Sequence, residues 1–275
     1  MHEWSLLIFT VAVPAVVGGV LFLWYFSQLV EKNTGTATLK MPLVMLAVVS
    51  LIGLAGSFFH LGSPMAAIHT IRGFGRSWMS NEIVFVGAFI GLICLLALLA
   101  VLSKEVKPIF LLITGLIGLM AIFSMAQTYA FTRVNGWDHF NTYAVFFGTA
   151  FALGPVLGAG LLIPSLKAEQ RRKIVKIAFA VGIFGIGIQI IGSAMFAAYT
   201  PEVQLISGGT AAAKLAPYST MIGIRWFIEL AGLAVLGYLS LSSKPKLNYS
   251  FLYAALAVLV VAEGMSRYVF YVLGA

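Results

Sequence analysis

The sequence predicts an all-α integral membrane protein, a bundle of eight transmembrane helices with both termini outside. Of its 275 residues, 61% are hydrophobic and only 9% are charged, a balance that soluble domains do not show. Eight apolar runs are each long enough to cross the roughly 30 Å of hydrocarbon in a bilayer. The alternation that a membrane barrel needs is absent, which leaves helices as the spanning elements.

The eight spans are predicted to form a single transmembrane helical domain over residues 1–275. Their approximate bounds are 5–30, 40–60, 81–102, 108–130, 141–164, 174–198, 222–241 and 249–272. No basic segment precedes the first run, which follows His2-Glu3-Trp4, so we expect it to be a span rather than a cleaved signal peptide.

The distribution of lysine and arginine predicts which side each loop faces. Eleven of the 17 basic residues lie in one set of loops, and the other set holds six together with the termini. By the positive-inside rule the richer set is cytoplasmic, so both termini face outward. The three longer loops then lie outside, and so do the four histidines His2, His60, His69 and His139.

Composition also argues against several kinds of function. The net charge of +8 does not indicate nucleic-acid binding, because the basic residues are scattered through short loops. The single cysteine, Cys94, excludes disulfides and thiolate metal clusters. No histidine lies in mid-span, which argues against heme. The inner half of the bundle offers only neutral candidates such as Gln189, so no proton relay across the membrane is visible.

His60 and Glu82 are the principal candidates for chemistry, because they lie at the facing ends of two consecutive spans. An imidazole beside a carboxylate is suited to proton transfer. The alternative is structural: Glu82 in a helix first turn capped by Ser80 or Asn81, and His60 bonding a carbonyl at a helix end.

Charges within the spans form two pairs with helical spacing. Arg225 and Glu229 are four apart in the seventh span, and Glu263 and Arg267 are four apart in the eighth. Each pair is predicted to share a helix face and to compensate two charges that are costly in lipid. A structural ion pair and a functional role both remain open, and the neighbouring tyrosine side chains of Tyr268 and Tyr271 are available as hydrogen-bond donors.

Other residues have an interfacial or packing interpretation. Trp4, Trp78, Trp137 and Trp226 lie near outer boundaries, as in an aromatic belt, although Trp4 or Trp137 is also suited to line a ring-shaped ligand. Close helix packing is predicted at three glycine pairs, which are Gly115 and Gly118, Gly154 and Gly158, and Gly182 and Gly185.

Five short segments then point to a known family. They are His2-Glu-Trp4, Phe59-His-Leu-Gly-Ser-Pro64, Ser80-Asn-Glu-Ile83, Gly154-Pro-Val-Leu-Gly158 and Glu263-Gly-Met-Ser-Arg-Tyr-Val-Phe-Tyr271. In these segments, spread from end to end, the chain resembles the membrane anchor subunit of bacterial dimethyl sulfoxide reductase. Eight spans with both termini outside agree with that resemblance.

The resemblance implies a heme-free, metal-free anchor in the bacterial inner membrane, with periplasmic termini, that oxidises menaquinol in anaerobic respiration. Electrons pass to an iron–sulfur subunit and then to a molybdopterin subunit that reduces S- or N-oxides. The implied quinol-binding residues are His60 and Glu82, and we add Trp4, Glu263, Arg267 and Tyr268 as candidates. Exposed arginines, Arg72, Arg76 and Arg133, are candidates for docking an acidic partner, or are ordinary solvated charges.

We therefore hypothesise a quinol site between spans one to three and eight. His60 accepts a quinol proton, Glu82 orients the imidazole or relays the proton outward, and no membrane potential arises. The rival classes are a transporter or channel, which predicts a midplane substrate site with broken helices, and a passive tether. Adjacent genes for iron–sulfur and molybdopterin proteins would favour the anchor over the transporter.

Overall fold

The computed structural model describes residues 4–29, 32–60, 67–102, 106–206, 208–242 and 248–274. The side chains of residues 32–36, 59–60 and 67–68 also lie outside the described part. Within these ranges the chain forms helices and turns with no β-strand, and Gln204 and Thr210 form one isolated bridge.

In the described part of the chain, eight long helices are apolar enough to cross a membrane, which confirms the predicted all-α membrane fold and number of spans. They are α1 (Trp4–Leu29), α2 (Lys32–His60), α4 (Trp78–Leu102), α5 (Pro108–Ala130), α6 (Phe140–Leu162), α7 (Ala168–Tyr199), α9 (Ser219–Leu241) and α10 (Ser250–Val272). Two short helices lie in the connections, α3 (Ala67–Thr70) and α8 (Ala211–Leu215). Single 3-10 turns occur at Ile71–Gly73, Ile163–Ser165 and Ala216–Tyr218.

Helix α1 lies at the centre of the bundle and packs against α2, α5, α6 and α10. The most apolar 18-residue stretch of α1 is 72% buried, against 39% for the corresponding stretch of α2 or α4. At one end of the bundle α1 begins and α10 ends, where the rings of Trp4 and Tyr268 stack with centroids 5.9 Å apart. We call this the terminal end of the bundle.

Glycine allows α1 and α6 to approach closely. A Cβ atom on Gly18 would lie 1.9 Å from the carbonyl oxygen of Ala150, and one on Gly154 would lie 2.4 Å from the Cα of Gly18. The predicted packing role is confirmed at Gly115, Gly118, Gly154, Gly158 and Gly185, where a Cβ would meet a neighbouring helix at less than 3 Å. It is wrong for Gly182, where an added Cβ makes only an ordinary contact with Leu233 at 3.8 Å.

Gly18→Val is expected to destabilise the protein, because the side chain has no space against the α6 backbone. Overpacking of this kind costs about 1–3 kcal/mol, and a rigid backbone neighbour places this case at the upper end. Gly187→Val in α7 is the matched control, since a Cβ there meets nothing within 4 Å. Thermal unfolding in detergent measures both variants. Equal melting temperatures would contradict the close α1–α6 contact.

Candidate functional site

Glu82 lies near the terminal end in α4, which begins one turn earlier than predicted. The prediction that Ser80 or Asn81 caps this helix, with Glu82 in its first turn, is therefore wrong. Asn81 instead accepts through Oδ1 a hydrogen bond from the backbone N–H of Gly75, at 2.7 Å. This bond ties the preceding loop to the helix, and the earlier start of α4 places Glu82 beyond its first turn.

The Glu82 side chain is partly buried and lies among hydroxyl groups. Thr128 on α5 lies close to its carboxyl group, and the Thr128 hydroxyl donates to the carbonyl of Ser124 at 2.9 Å. The phenol groups of Tyr129 and Tyr271 are close enough to interact with it electrostatically. A carboxyl group with such neighbours can hold or release a proton without facing lipid directly.

The hydroxyl of Tyr271 on α10 links three spans through hydrogen bonds close to Glu82. It lies 2.9 Å from Oγ1 of Thr10 on α1 and 3.0 Å from the hydroxyl of Tyr129 on α5. The sequence identified Tyr271 as a possible donor but missed Thr10, Thr128 and Tyr129. Their only signal was polarity within apolar spans, which many structural residues share.

The structure brings His60 to the same end of the bundle as Glu82. Helix α2 ends at His60, whose side chain lies outside the described residues, as do residues 61–64 and His2. One turn before His60, a Cβ on Gly56 would lie 2.8 Å from the carbonyl oxygen of Ser5. The last turns of α2 therefore press against the first turns of α1.

Trp4 and Tyr268 stack on each other above an apolar groove. Trp4 is 67% exposed, and Tyr268 also contacts the ring of Tyr218, with centroids 6.1 Å apart. The groove has a volume of about 300 Å³, and α1, α2, α6 and α10 form its walls. It begins one turn below the stacked rings, at Leu7 and Gly264. Such a groove fits the apolar tail of a membrane-soluble ligand.

Glu263 and Arg267 are buried, at 1% and 0% exposure, but Thr149 of α6 links them. Oγ1 of Thr149 donates to the Glu263 carboxylate at 2.7 Å and accepts from Nη2 of Arg267 at 3.2 Å. The guanidinium of Arg267 also lies 3.8 Å from the ring centre of Phe146, in a cation–π contact. Within the described residues these two charges make no direct ion pair, so the predicted pairing on one helix face is indirect and runs through Thr149.

Arg225 and Glu229 do form the predicted ion pair, with Nη2 of Arg225 3.0 Å from the Glu229 carboxylate. Gln189 of α7 connects this pair to Glu263. It accepts a hydrogen bond from Arg225 and donates one through Nε2 to Glu263 at 2.6 Å. We call Thr149, Gln189, Arg225, Glu229, Glu263 and Arg267 the polar cluster. The link through Gln189 was not predicted, because an isolated glutamine in a span has no partner at helical spacing.

Two aromatic residues of the connecting loops have structural roles. Trp137 is 8% exposed and donates through Nε1 to the carbonyl of Phe270 at 3.0 Å, so the prediction that it belongs to an interfacial belt is wrong. His139 caps α6 by accepting through Nδ1 from the N–H of Asn141 at 3.0 Å. Partial burial lowers the pKa of His139, although nearby Asp138 opposes the shift, and this favours the neutral form that the cap requires.

Arg72, Arg76 and Arg133 are exposed at the terminal end, in the connections before α4 and α6. Asn135 near the last of them donates to the carbonyl of Gln204 at 2.6 Å, which joins two loops into one surface. Among the described residues, no group of three or more His, Cys, Asp or Glu side chains is placed to hold a metal ion.

Comparison with known proteins agrees with the resemblance seen in the sequence. The family model of the DMSO reductase anchor subunit (DmsC) matches residues 1–273. The C subunit of anaerobic dimethyl sulfoxide reductase is 31% identical in Haemophilus influenzae and 30% identical in Escherichia coli, over 98% of this protein and 94% of each relative. The YnfH subunit of an anaerobic dimethyl sulfoxide reductase of Escherichia coli is 29% identical over 58% of both proteins. No solved structure matches. The protein therefore belongs to the family of DMSO reductase anchor subunits.

Proposed function

We propose that this membrane anchor binds menaquinol at the terminal end of the bundle, beside Glu82 and His60, and oxidises it. Electrons pass to an iron–sulfur subunit and then to a molybdopterin subunit that reduces dimethyl sulfoxide or a related S- or N-oxide in anaerobic respiration. The observation that carries this proposal is that the partly buried carboxyl group of Glu82 lies close to the hydroxyl groups of Thr128, Tyr129 and Tyr271, near the terminal end of the bundle.

The groove beneath Trp4 and Tyr268 supports a lipid-soluble substrate. Its walls are apolar and come from α1, α2, α6 and α10, so an isoprenoid tail lying there has its head near the terminal end. The start of α1 also packs against the end of α2, which carries His60. The isoprenoid tail and the quinol ring are thereby accommodated by neighbouring parts of the bundle.

The oxidation removes two protons and two electrons from each quinol. His60 accepts a hydrogen bond from one quinol hydroxyl and takes its proton as the electrons leave. Glu82 orients the imidazole or relays the proton away from the bundle. Electrons leave toward the partner subunits through the same end, where Arg72, Arg76 and Arg133 are exposed for docking.

The charge bias supports a periplasmic terminal end in the bacterial inner membrane. Eleven basic residues belong to the opposite loops and six to that side, and two of these six, Arg225 and Arg267, lie inside α9 and α10. Protons and electrons then leave toward the same side, so turnover of this subunit generates no membrane potential. The purified complex can be reconstituted into sealed vesicles and supplied with quinol. A membrane potential that forms during quinol oxidation would contradict this part of the proposal.

Substitution of His60 tests its role in quinol oxidation, and substitution of a second histidine, in the connection between α2 and α4, serves as the control. In complexes that assemble, His60→Ala is expected to slow menaquinol oxidation by about 100-fold or more, the usual effect of losing a proton acceptor. His69→Ala is the control, because His69 is exposed in α3. Its rate is expected to equal that of the wild type. Equal rates for both variants would overturn the assignment of His60.

A further inference from the structure

Three hydroxyl groups close to Glu82 form a hydrogen-bonded chain that runs in one direction. Oγ1 of Thr10 donates to the carbonyl oxygen of Leu6 at 2.9 Å, which uses its only hydrogen. The hydroxyl of Tyr271, 2.9 Å from the same Oγ1, is therefore the donor in that contact. The hydroxyl of Tyr129, 3.0 Å from that of Tyr271, donates in turn, because the Tyr271 hydrogen is already committed. Every hydrogen of this hydroxyl chain points from Tyr129 toward Leu6.

The hydroxyl groups nearest to Glu82 therefore offer it acceptors and no donor. Thr128 lies close to the carboxyl group, but its hydrogen is donated to the carbonyl of Ser124 at 2.9 Å. Tyr129 also interacts with Glu82 electrostatically, and its hydrogen is donated to Tyr271. Only the lone pairs of these two oxygen atoms remain. Lone pairs accept a hydrogen bond from a protonated carboxyl group and repel a carboxylate, so these neighbours suit the proton-carrying form of Glu82.

Within the described residues, Glu82 forms no ion pair that would oppose this preference. Helix α4 packs against α2, α3, α5 and the turn at Ile71–Gly73. The titratable or charged groups at this end of the bundle, on these elements, on the loop before α4 and on α10, are His60, His69, Arg72, Arg76, Tyr129, Arg267 and Tyr271. The guanidinium of Arg267 interacts electrostatically with both phenol groups, whereas the histidine of α3 and the two loop arginines are exposed. The side chain of His60 lies outside the described residues.

We propose that Tyr129 is a positioning residue, whose hydroxyl oxygen supports the protonated carboxyl group of Glu82 and thereby makes Glu82 a proton relay. The proposal rests on the proposed function, in which His60 takes the quinol proton first. A carboxylate in water is a much weaker base than imidazole and does not readily take a proton from it. Acceptor oxygens around the carboxyl group compensate for that weakness, because they bind its protonated form.

The direction of the hydroxyl chain also determines where the proton goes next. As the N–H bond of protonated His60 breaks, an O–H bond forms on Glu82, and the imidazole returns to its neutral form. The chain through Tyr129 ends at the carbonyl of Leu6, which has no hydrogen to pass on. The proton therefore leaves Glu82 toward the terminal end and not through the bundle.

The pH dependence of menaquinol oxidation by the assembled complex tests the role of Tyr129. Thr10→Val removes the acceptor at the far end of the chain, so the hydroxyls of Tyr271 and Tyr129 can turn and donate toward Glu82. A donor stabilises the carboxylate, so the acidic limb of the kcat profile is expected to move to lower pH by about one unit. Tyr271→Phe is expected to give the same shift, because it removes the acceptor of the Tyr129 hydrogen.

Three further variants separate this effect from the loss of a buried hydroxyl group. Thr114→Val is the matched control, because Thr114 is also buried and its hydroxyl donates to the carbonyl of Phe110 in its own helix at 2.7 Å. Thr10→Ser keeps the hydroxyl group, and both variants are expected to keep the wild-type profile. In Tyr129→Phe, which has no hydroxyl to turn, adding Thr10→Val is expected to produce no further shift.

The outcomes distinguish a failure of this proposal from a failure of the proposed function. Slow oxidation by Glu82→Gln, together with unshifted profiles in Thr10→Val and Tyr271→Phe, overturns the role of Tyr129 alone, even where the rates of these two variants fall equally at every pH. A shift that Thr10→Val still produces in the Glu82→Gln background also overturns it, because another group is then responsible. Wild-type oxidation by Glu82→Gln overturns the proposed role of Glu82 and this proposal with it.

Discussion

Glu82→Gln is expected to reduce menaquinol oxidation by the assembled complex by about 100-fold or more, because the amide takes up no proton. Glutamine keeps the size of the side chain and can still form hydrogen bonds with neighbouring hydroxyl groups. The substitution therefore removes the acid–base function while leaving the surrounding contacts in place. Glu82→Asp keeps the carboxylate and is expected to retain more activity than Glu82→Gln.

Two controls separate this effect from a failure of assembly. Glu202→Gln changes an exposed carboxylate in the loop after α7 and is expected to leave the rate unchanged. An artificial electron donor that feeds the partner subunits directly should support the same activity in all variants. Full menaquinol oxidation by Glu82→Gln would remove Glu82 from the mechanism.

Glu263→Leu is expected to destabilise the protein by about 3 kcal/mol or more, since breaking a buried charge network leaves uncompensated charges. The carboxylate of Glu263 accepts from Thr149 at 2.7 Å and from Gln189 at 2.6 Å. Its loss leaves the buried cations Arg225 and Arg267 with Glu229 as their remaining compensating charge in the polar cluster.

A double-mutant cycle measures whether these charges are coupled. Glu263→Leu combined with Arg267→Leu removes one charge of each sign and is expected to destabilise less than Glu263→Leu alone. Glu169→Leu, at an exposed position in α7, is expected to have little effect. Additive losses of stability in the cycle would show that Thr149 does not couple Glu263 to Arg267.

The sequence predicted the spans well because length and apolarity alone determine them. All eight helices were found, and the bounds of α5 agree to the residue, but α2 and α7 begin eight and six residues before the predicted 40 and 174. The start of α4 was placed three residues late, at 81, and the loop before it is bonded to the helix from Gly75 to Asn81, a contact between a helix and its own loop. No periodicity in the sequence records such a contact.

Interactions of the buried polar residues were predictable only within one helix, where the spacing along the sequence reports them. Arg225 and Glu229 are one turn apart on one helix, and their ion pair was predicted correctly. Thr149 and Gln189 join Glu263 from α6 and α7, and a single sequence gives no register between distant helices. The surroundings of Glu82 were missed for the same reason, because Thr128 and Tyr271 come from α5 and α10.

Photo-crosslinking with an azido-menaquinone tests the central claim, that this anchor itself binds quinol at the terminal end, most directly. In the intact complex, peptide mass spectrometry is expected to find adducts on the first turns of α4, around Glu82, and on the adjoining parts of α1 and α2. Excess unlabelled quinol should suppress them. Adducts confined to the partner subunits, or to the opposite end of the bundle around Lys107 and Leu241, would contradict the proposed site.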